Sequence, residues 1–287
     1  MKISSKFIII LFLSVLCSSI FFVFSMGSIL TAPKNAKVGK LPTELNGKEI
    51  KFKSKTGNTL SGWFVPGDDK QGGILLMHGM RSDRRQMLQR AIFLNQSGYS
   101  VLLFDFQAHG ESEGENITFG YLEAQDAEAA YSYLINHIKK KSIGVIGVSL
   151  GGVSALLGNV AKKANALIIE AVYPTLAEAV KNRIALRLGI MGRYLSPLLT
   201  WQIKPRLGFN PGALAPIDQL SDLNTPLFII AGTHDKHTTL SESKRMYNVA
   251  SKPKEIWLVN GSKHQDFHRY SPFIYQEKVL EFFSKYL

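Results

Sequence analysis

The chain is 287 residues long, with 45% hydrophobic and 20% charged residues, a composition typical of one globular domain. Its formal net charge is +12, and residues 1–60 contribute +7 of that excess through nine lysines against two glutamates. The positive charge is neither arranged along a helix nor interleaved with aromatic residues. This pattern argues against nucleic-acid binding.

The first predicted element is an uncharged apolar run from Phe7 to Phe24, with lysines on both sides of it. Its 18 residues suffice for a membrane span and exceed the apolar core of a usual signal peptide. We therefore expect residues 1–27 to be a membrane anchor or a signal segment. An uncleaved anchor is favoured, and residues 25–27 offer a cleavage site in the alternative.

The side of the membrane on which the rest of the chain lies is weakly specified, because basic residues are nearly balanced around the apolar run. Segments of this kind usually translocate the domain on their C-terminal side, so we expect an extracytoplasmic domain. A secreted or periplasmic protein is the alternative if the segment is cleaved. The single cysteine, Cys17, lies inside the run, so the domain is expected to contain no internal disulfide.

After a predicted linker at residues 28–47, strands and helices alternate. Alternating runs at 49–53 and 59–65 predict a hairpin. Continuously apolar runs predict buried parallel strands at 73–77, 100–106, 142–146, 166–171, 227–231 and 255–259. Helices are predicted at 84–96, 120–138, 151–161, 240–250 and 272–286. This order predicts an α/β fold with a doubly wound, mostly parallel sheet over residues 48–287.

The alternation is interrupted at about residues 175–225, where some fifty residues separate two buried strands. Apolar residues recur at helical spacing within this stretch, and its charged residues are mostly basic. We interpret it as a helical cap inserted into the domain.

A Gly-Val-Ser-Leu-Gly sequence at 147–151 connects a predicted strand directly to a predicted helix. The pentapeptide alone is common, but this setting is the one that a nucleophile elbow requires. Glycines two residues either side of the serine let strand and helix approach closely. Ser149 is therefore the candidate nucleophile.

A serine nucleophile needs a histidine base, and that base needs an orienting carboxylate. In chain order the base should follow the acid and lie after the last strand, which selects His264 over His268. Asp235, directly after the strand at 227–231, is the candidate acid, and Glu170 at the end of the preceding strand competes with it. Asp266 is expected to brace the loop of His264.

Two backbone N–H groups are candidates for stabilising an oxyanion. Leu150 directly follows the nucleophile, and Met80 lies in the loop after the strand at 73–77. The adjacent His78 is expected to be a structural brace. His234 and His237 flank the candidate acid, but no further ligands complete a metal set, so no metal or diffusible cofactor is expected.

These motifs together resemble the α/β-hydrolase superfamily over roughly residues 48–287, and within it the single-domain, membrane-anchored BEM46-like serine hydrolases. The resemblance rests on HGM, FDFQAHGESEG, GVSLGG, AGTHD and GSKHQDF, which begin at residues 78, 104, 147, 231 and 261. It implies the same triad of Ser149, Asp235 and His264, with Met80 and Leu150 as oxyanion donors. The family more often has an arginine–glycine pair where this chain has residues 107–109, and there His109 and Asp105 are expected to be structural.

The expected activity is hydrolysis of carboxylic esters or thioesters through an acyl-enzyme, with lipid-like acyl compounds among the candidate substrates. The expected partners are a small acyl ester and, through the N-terminal segment, a membrane. A serine peptidase is the alternative, although the basic cap lacks an acidic clamp for a peptide amine. An acyltransferase and a binding module that lost the chemistry are further alternatives.

Overall fold

The computed structural model describes residues 4–287. An eight-stranded sheet forms the centre of the domain. The strands in chain order are β1 (Lys34–Asn35), β2 (Lys48–Lys53), β3 (Thr59–Val65), β4 (Gly73–Met77), β5 (Ser100–Phe104), β6 (His109–Gly110), β7 (Ile143–Val148), β8 (Ala166–Glu170), β9 (Leu227–Gly232) and β10 (Lys254–Val259). The order in the sheet is β10-β9-β8-β7-β4-β5-β3-β2. β3 pairs antiparallel with β2 and β5, and all other pairs in this sheet are parallel. The predicted fold class is confirmed.

Helices cover both faces of the sheet. In chain order they are α1 (Ser5–Thr31), α2 (Leu88–Gln96), α3 (Glu123–His137), α4 (Leu150–Leu157), α5 (Val160–Lys163), α6 (Leu176–Trp201), α7 (Ile203–Leu207), α8 (Leu240–Val249), α9 (Phe267–Tyr270) and α10 (Pro272–Tyr286). Successive residues of β4 point to opposite faces, so Leu75 joins a core with α3, α4 and α8. Leu76 joins the core with α2 and α10 on the other face.

Some elements end at other residues than predicted. β5 ends at Phe104, two residues early, because the carboxylate of Asp105 turns away to accept the backbone N–H of Arg84 at 2.7 Å. The predicted helix at 151–161 is two helices, because Gly158 is extended (φ −92°, ψ 178°) between α4 and α5. These differences are local and leave the strand order unchanged.

The stretch between β8 and β9 is helical. It contains α6, α7 and short 3₁₀ turns at Pro211–Ala213 and Pro216–Gln219. Gly189 departs from helical geometry (φ 58°, ψ −140°), so α6 consists of two helical segments. This cap segment lies between the strand that ends at Glu170 and the strand that precedes Asp235.

α1 is long and apolar enough to cross a membrane, by length and composition. Its 27 residues would extend about 40 Å. It ends at Thr31, before Ala32-Pro33, because the residue before a proline disfavours helical geometry. The predicted linker therefore begins inside this helix.

The rest of the predicted linker packs against the domain. β1 pairs parallel with β6, and the carboxylate of Glu111 accepts the backbone N–H groups of Val38 and Gly39 at 3.0 and 3.1 Å. Val38 and Leu45 are buried. The segment after α1 is thus held along the domain surface.

The last turns of α1 are bonded to the domain through their own carbonyl oxygens. Gln202 Nε2 donates to Val23 O at 3.0 Å, and an Arg206 Nη donates to Phe24 O at 2.8 Å. The carbonyl oxygen of Ile29 accepts from Arg81 at 3.1 Å. Of these three acceptors only Ile29 O belongs to the last four carbonyl oxygens of α1, which have no partner inside a helix, and a cation is favourable there. α1 is therefore docked against both the cap and the loop after β4.

Candidate active site

Ser149 lies at the sharp turn between β7 and α4. Its backbone has φ 48° and ψ −107°, a strained conformation for a residue with a side chain. A Cβ on Gly147 would lie 2.4 Å from Gly152 N, and one on Gly151 would lie 2.4 Å from Met77 O. Both glycines are therefore required for the close approach of helix and strand. The turn has the geometry of a nucleophile elbow.

Asp235 and His264 form a hydrogen-bonded pair at the same edge of the sheet. His264 Nδ1 donates to Asp235 Oδ2 at 2.7 Å. Asp235 Oδ1 accepts the backbone N–H groups of His237 and Thr238 at 2.7 and 2.9 Å. With its Nδ1 proton committed to the carboxylate, neutral His264 has Nε2 as an acceptor.

The charge of Asp235 is stabilised by its surroundings. Burial by itself raises the pKa of this carboxyl group. The hydrogen bond and charge of His264 and the N–H groups of Thr238 and His237 outweigh burial and hold the pKa below its ordinary value of 3.8. Asp235 is therefore a carboxylate at neutral pH and can orient His264.

The link from Ser149 to His264 is the part of the triad that is not hydrogen bonded. Ser149 Oγ forms no hydrogen bond among residues 4–287. His237 connects the two parts of the candidate site, because its ring centroid is 5.0 Å from that of His264 and it lines the same cavity as Ser149. A contact between a serine nucleophile and its histidine base often tightens only when substrate binds.

The competing candidates lie elsewhere. Glu170 binds the fully buried Arg90, with Oε2 at 2.8 Å from Nη2, and Asp266 binds the same guanidinium at 2.9 Å. His268 stacks on Phe93 with ring centroids 5.3 Å apart, and burial lowers its pKa to about 4. These groups tie α2 to the loop of His264 and do not join the Asp235–His264 pair.

Met80 and Leu150 bring two backbone N–H groups to the cavity beside Ser149. In the described part of the chain neither amide donates a hydrogen bond. The amide of Leu150 is free because it begins α4, where a helix has no internal acceptor for its first N–H groups. Both amides are thus available to an oxyanion.

Two buried histidines support the loop of Met80. His78 Nε2 accepts from Phe106 N at 3.1 Å, and His109 Nε2 accepts from Arg81 N at 3.0 Å. Burial lowers their pKa values to about 4 and about 3, so both rings are neutral at pH 7. As neutral acceptors they hold the loop in place.

The cavity beside Ser149 has a volume of about 460 Å³ and three walls. The first contains Ser149, the oxyanion loop and His237; the second is α6 and α7; the third is the end of α1, with Met26, Gly27, Leu30 and Thr31. Its lining contains four arginines and no acidic residue: Arg81, Arg183, Arg187 and Arg206. The cavity is therefore mainly apolar with a cationic character.

Sequence reasoning missed the N-terminal helix and His237 as parts of the site. A signal for the helix exists, since Phe22, Met26 and Leu30 recur every four residues and lie near one another on the helix surface. For His237 the sequence raised a metal site and argued against it, and it did not predict a place in the cavity. Within residues 4–287 no group of three potential metal-ligating side chains occurs, and His234 is exposed.

Part of the chain resembles known proteins. Residues 68–207 match the family described as serine aminopeptidase, S33. The chain is 24% identical to the Bacillus subtilis protein YqkD over 80% of this chain and 76% of that protein. It is 26% identical to the lysophosphatidylserine lipase ABHD12 of Danio rerio, over 72% of this chain and 54% of the lipase.

Among solved structures, the Pyrococcus furiosus esterase Pf2001 matches with a TM-score of 0.71 at 24% identity, covering 88% of this chain and 99% of the esterase. The chain therefore has the α/β-hydrolase fold, and about half of it resembles the serine aminopeptidase S33 family, a likeness consistent with a hydrolase. The membrane-anchored BEM46-like group is not distinguished by these matches and stays a prediction.

Proposed function

We propose that this protein is a membrane-anchored serine hydrolase that cleaves carboxylic esters or thioesters of lipid-like acyl groups. The observation that carries the proposal is the Asp235–His264 hydrogen bond of 2.7 Å in a fold whose elbow serine, Ser149, lines a cavity together with His237 and two residues whose backbone N–H groups are free. Acyl transfer requires a nucleophile, an oriented base and preformed oxyanion donors in one cavity.

In the proposed mechanism, His264 Nε2 takes the proton of Ser149 Oγ as the oxygen attacks the acyl carbonyl carbon. The tetrahedral oxyanion accepts hydrogen bonds from the amides of Met80 and Leu150. His264 then gives its proton to the departing alcohol or thiol, and an acyl-enzyme remains. Water, deprotonated by His264, attacks that acyl-enzyme, and the acid is released with the proton returned to Ser149.

The apolar cavity and the apolar N-terminal helix favour a lipid-like substrate over a water-soluble ester. An esterase and a lipase are among the similar proteins, which is consistent with this substrate class. Arg183 is half-buried in the cavity, donates to Ala179 O at 3.2 Å and has no carboxylate within ion-pair distance among residues 4–287, although Asp235 and Glu242 are near enough to favour its charge. We therefore propose that the substrate has an anionic group.

We further propose that α1 is retained in the mature protein as an anchor, with the domain on the extracytoplasmic side. Cleavage at residues 25–27 would separate Val23 and Phe24 from the hydrogen bonds of Gln202 and Arg206. It would also remove part of one cavity wall. An uncleaved segment keeps the site complete.

The test is hydrolysis of acyl esters of increasing chain length by the parent and by Ser149→Ala. The variant should lose roughly 10³-fold or more in kcat, because loss of the nucleophile leaves only binding and oxyanion stabilisation. A fluorophosphonate should label the parent at Ser149 and leave Ser149→Ala unlabelled. Equal ester hydrolysis by both proteins would refute the proposal.

A serine aminopeptidase is the second candidate, because the matching family description names that activity. An aminopeptidase needs an anionic partner for the free amine of its substrate, and the cavity lining contains no acidic residue. Cleavage of aminoacyl amides, with acyl esters left intact, would favour the aminopeptidase over the ester hydrolase. Formation of a new ester from an added alcohol would instead identify an acyltransferase, in which the alcohol replaces water.

A further inference from the structure

A second cavity of about 950 Å³ lies between α1 and α6, next to the cavity of Ser149. The two share four lining residues, Met26, Ile184, Arg187 and Leu199. We call the second cavity the α1–α6 groove. Because the lining is shared, groove and catalytic cavity adjoin along both helices.

α1 forms one side of the groove along its whole length. The residues of α1 that line it are Ser14, Ser18, Ser19, Ile20, Phe22, Val23, Phe24 and Met26. From Ser14 to Met26 this part of α1 extends about 18 Å at the rise of an α-helix. Near its outer end the small side chains of Ser14 and Ser18 leave open space between two otherwise apolar helices.

The opposite wall is equally apolar. On α6, Leu188, Leu195, Leu198 and Trp201 line the groove, and Arg187 is the only charged residue in its lining. The same helix exposes large apolar side chains: Leu186, Leu188, Ile190, Met191, Tyr194, Leu198 and Trp201. A large contiguous apolar surface beside a helix suited to a membrane marks a face that contacts lipid.

We propose that the α1–α6 groove is a channel for the acyl chain of a membrane lipid ester. The lipid enters it sideways from the bilayer, so that its ester carbonyl reaches Ser149 while the end of the chain stays between the two helices. This proposal rests on the proposed function, since it assigns the acyl substrate of the same serine. The occupant is a hydrocarbon chain because the lining is apolar and continuous with the catalytic cavity.

The channel is tested by tryptophan substitutions that fill the α1–α6 groove at a distance from Ser149. Leu195→Trp on α6 and Ser18→Trp on α1 place a bulky ring in the groove, and neither position lines the catalytic cavity. Met191→Trp and Phe21→Trp are matched controls on the same helices, because those side chains are 62% and 75% exposed and outside the groove lining.

Each full-length protein is reconstituted in phosphatidylcholine vesicles and assayed with butyryl and palmitoyl esters of 4-methylumbelliferone. We expect the groove variants to lose at least about tenfold in kcat/KM for the palmitoyl ester, since each buried methylene is worth about fourfold. The butyryl ester, which does not reach the groove, should be hydrolysed within about twofold of the parent. The controls should hydrolyse both esters like the parent.

The channel proposal is overturned if the groove variants lose both activities equally or neither. If Ser149→Ala abolishes hydrolysis while chain-length dependence is unchanged by the groove variants, only the channel is refuted. If Ser149→Ala retains activity, the proposed function fails.

A binding measurement decides the channel independently of catalysis. In Ser149→Ala, palmitic acid with a terminal diazirine should crosslink within residues 184–199 of α6. When Leu195→Trp is combined with Ser149→Ala, the crosslink should disappear. When Met191→Trp is combined with Ser149→Ala, the crosslink should remain. Crosslinking that is insensitive to Leu195→Trp would overturn the channel.

Discussion

Gln202, at the end of α6, packs directly against Gly27 of the N-terminal helix. A Cβ on Gly27 would lie 2.0 Å from Gln202 Oε1, and the Gln202 side chain is buried and bonded to Val23 O. This contact brings a helix suited to a membrane into the wall of the catalytic cavity. Glycine at 27 thus has a packing role, although glycine inside a helix normally lowers stability.

Gly27→Leu is expected to displace α1 from the cap. Overpacking of a tight contact costs about 1–3 kcal/mol, and Gln202 cannot yield without losing its hydrogen bond. We expect faster proteolysis between α1 and the domain and a higher KM for long-chain esters. Ile29→Ala, at an exposed position of the same helix, is the control and should show neither effect. Unchanged proteolysis of Gly27→Leu would contradict the contact.

Asp235→Asn should abolish the orientation of His264 with little effect on folding. Loss of the carboxylate favours the wrong tautomer of the histidine and typically costs about 10⁴-fold in kcat. The thermal midpoint should change little, because an amide oxygen can still accept the N–H groups of His237 and Thr238. Steady-state kinetics and thermal unfolding measure the two effects. A kcat near that of the parent would show that Asp235 is not the acid.

Glu170→Gln should lower the stability of the fold and leave kcat almost unchanged, which is the reverse of the result expected for Asp235→Asn. It removes one of the two carboxylates that bind the buried Arg90 and should destabilise the fold by about 1.5–3 kcal/mol, because a charge-assisted hydrogen bond is lost while Asp266 still binds the guanidinium. Activity per correctly folded molecule, counted by fluorophosphonate titration, should remain close to that of the parent. If that activity instead fell as far as in Asp235→Asn, Glu170 would have a catalytic role.

Asp126 makes stability depend on pH. Burial raises its pKa from 3.8 to about 7, while its Oδ2 accepts the N–H of Gln107 at 2.9 Å. A raised folded-state pKa means that the folded protein binds the proton more tightly than the unfolded chain. The resulting stabilisation is present below about pH 4 and is lost as pH rises to about 7, by up to about 1.4 kcal/mol per pH unit.

Asp126→Asn should remove this slope. The free energies of unfolding of parent and variant are measured in urea at pH 5 and at pH 8. Relative to the variant, the parent should be less stable at pH 8 than at pH 5. Glu115→Gln, an exposed carboxylate, serves as the control. A difference that is constant with pH would show that Asp126 titrates normally.

Arg183→Gln tests the proposed anionic substrate group. One charge-assisted hydrogen bond is worth about 1.5–3 kcal/mol, so KM for an anionic lysolipid should rise about tenfold or more. Hydrolysis of a neutral monoacylglycerol should be unaffected. Arg193→Gln is the matched control, because Arg193 is exposed on the same helix and outside the cavity lining. An equal loss of activity on both substrates would show that Arg183 does not bind an anionic group of the substrate.

The sequence by itself determined the fold class and supplied the residues of the candidate triad as a prediction. Apolar runs and glycines reflect local constraints, so the alternation of strands and helices, the strand-to-helix turn at Ser149 and the loops after the last strands could be predicted from them. Asp235 and Glu170 could not be separated in this way, because both follow neighbouring strands at the same sheet edge.

Only the tertiary structure decided which of those carboxylates contacts His264, since that depends on where the remote Arg90 packs. It also decided that α1 closes the catalytic cavity. Apolar composition indicates that a helix avoids water, but its docking on Gln202 and Arg206 depends on residues about 180 positions away. Such long-range side-chain contacts leave no periodic pattern in the sequence, and they are what bring the N-terminal helix to the cavity of Ser149.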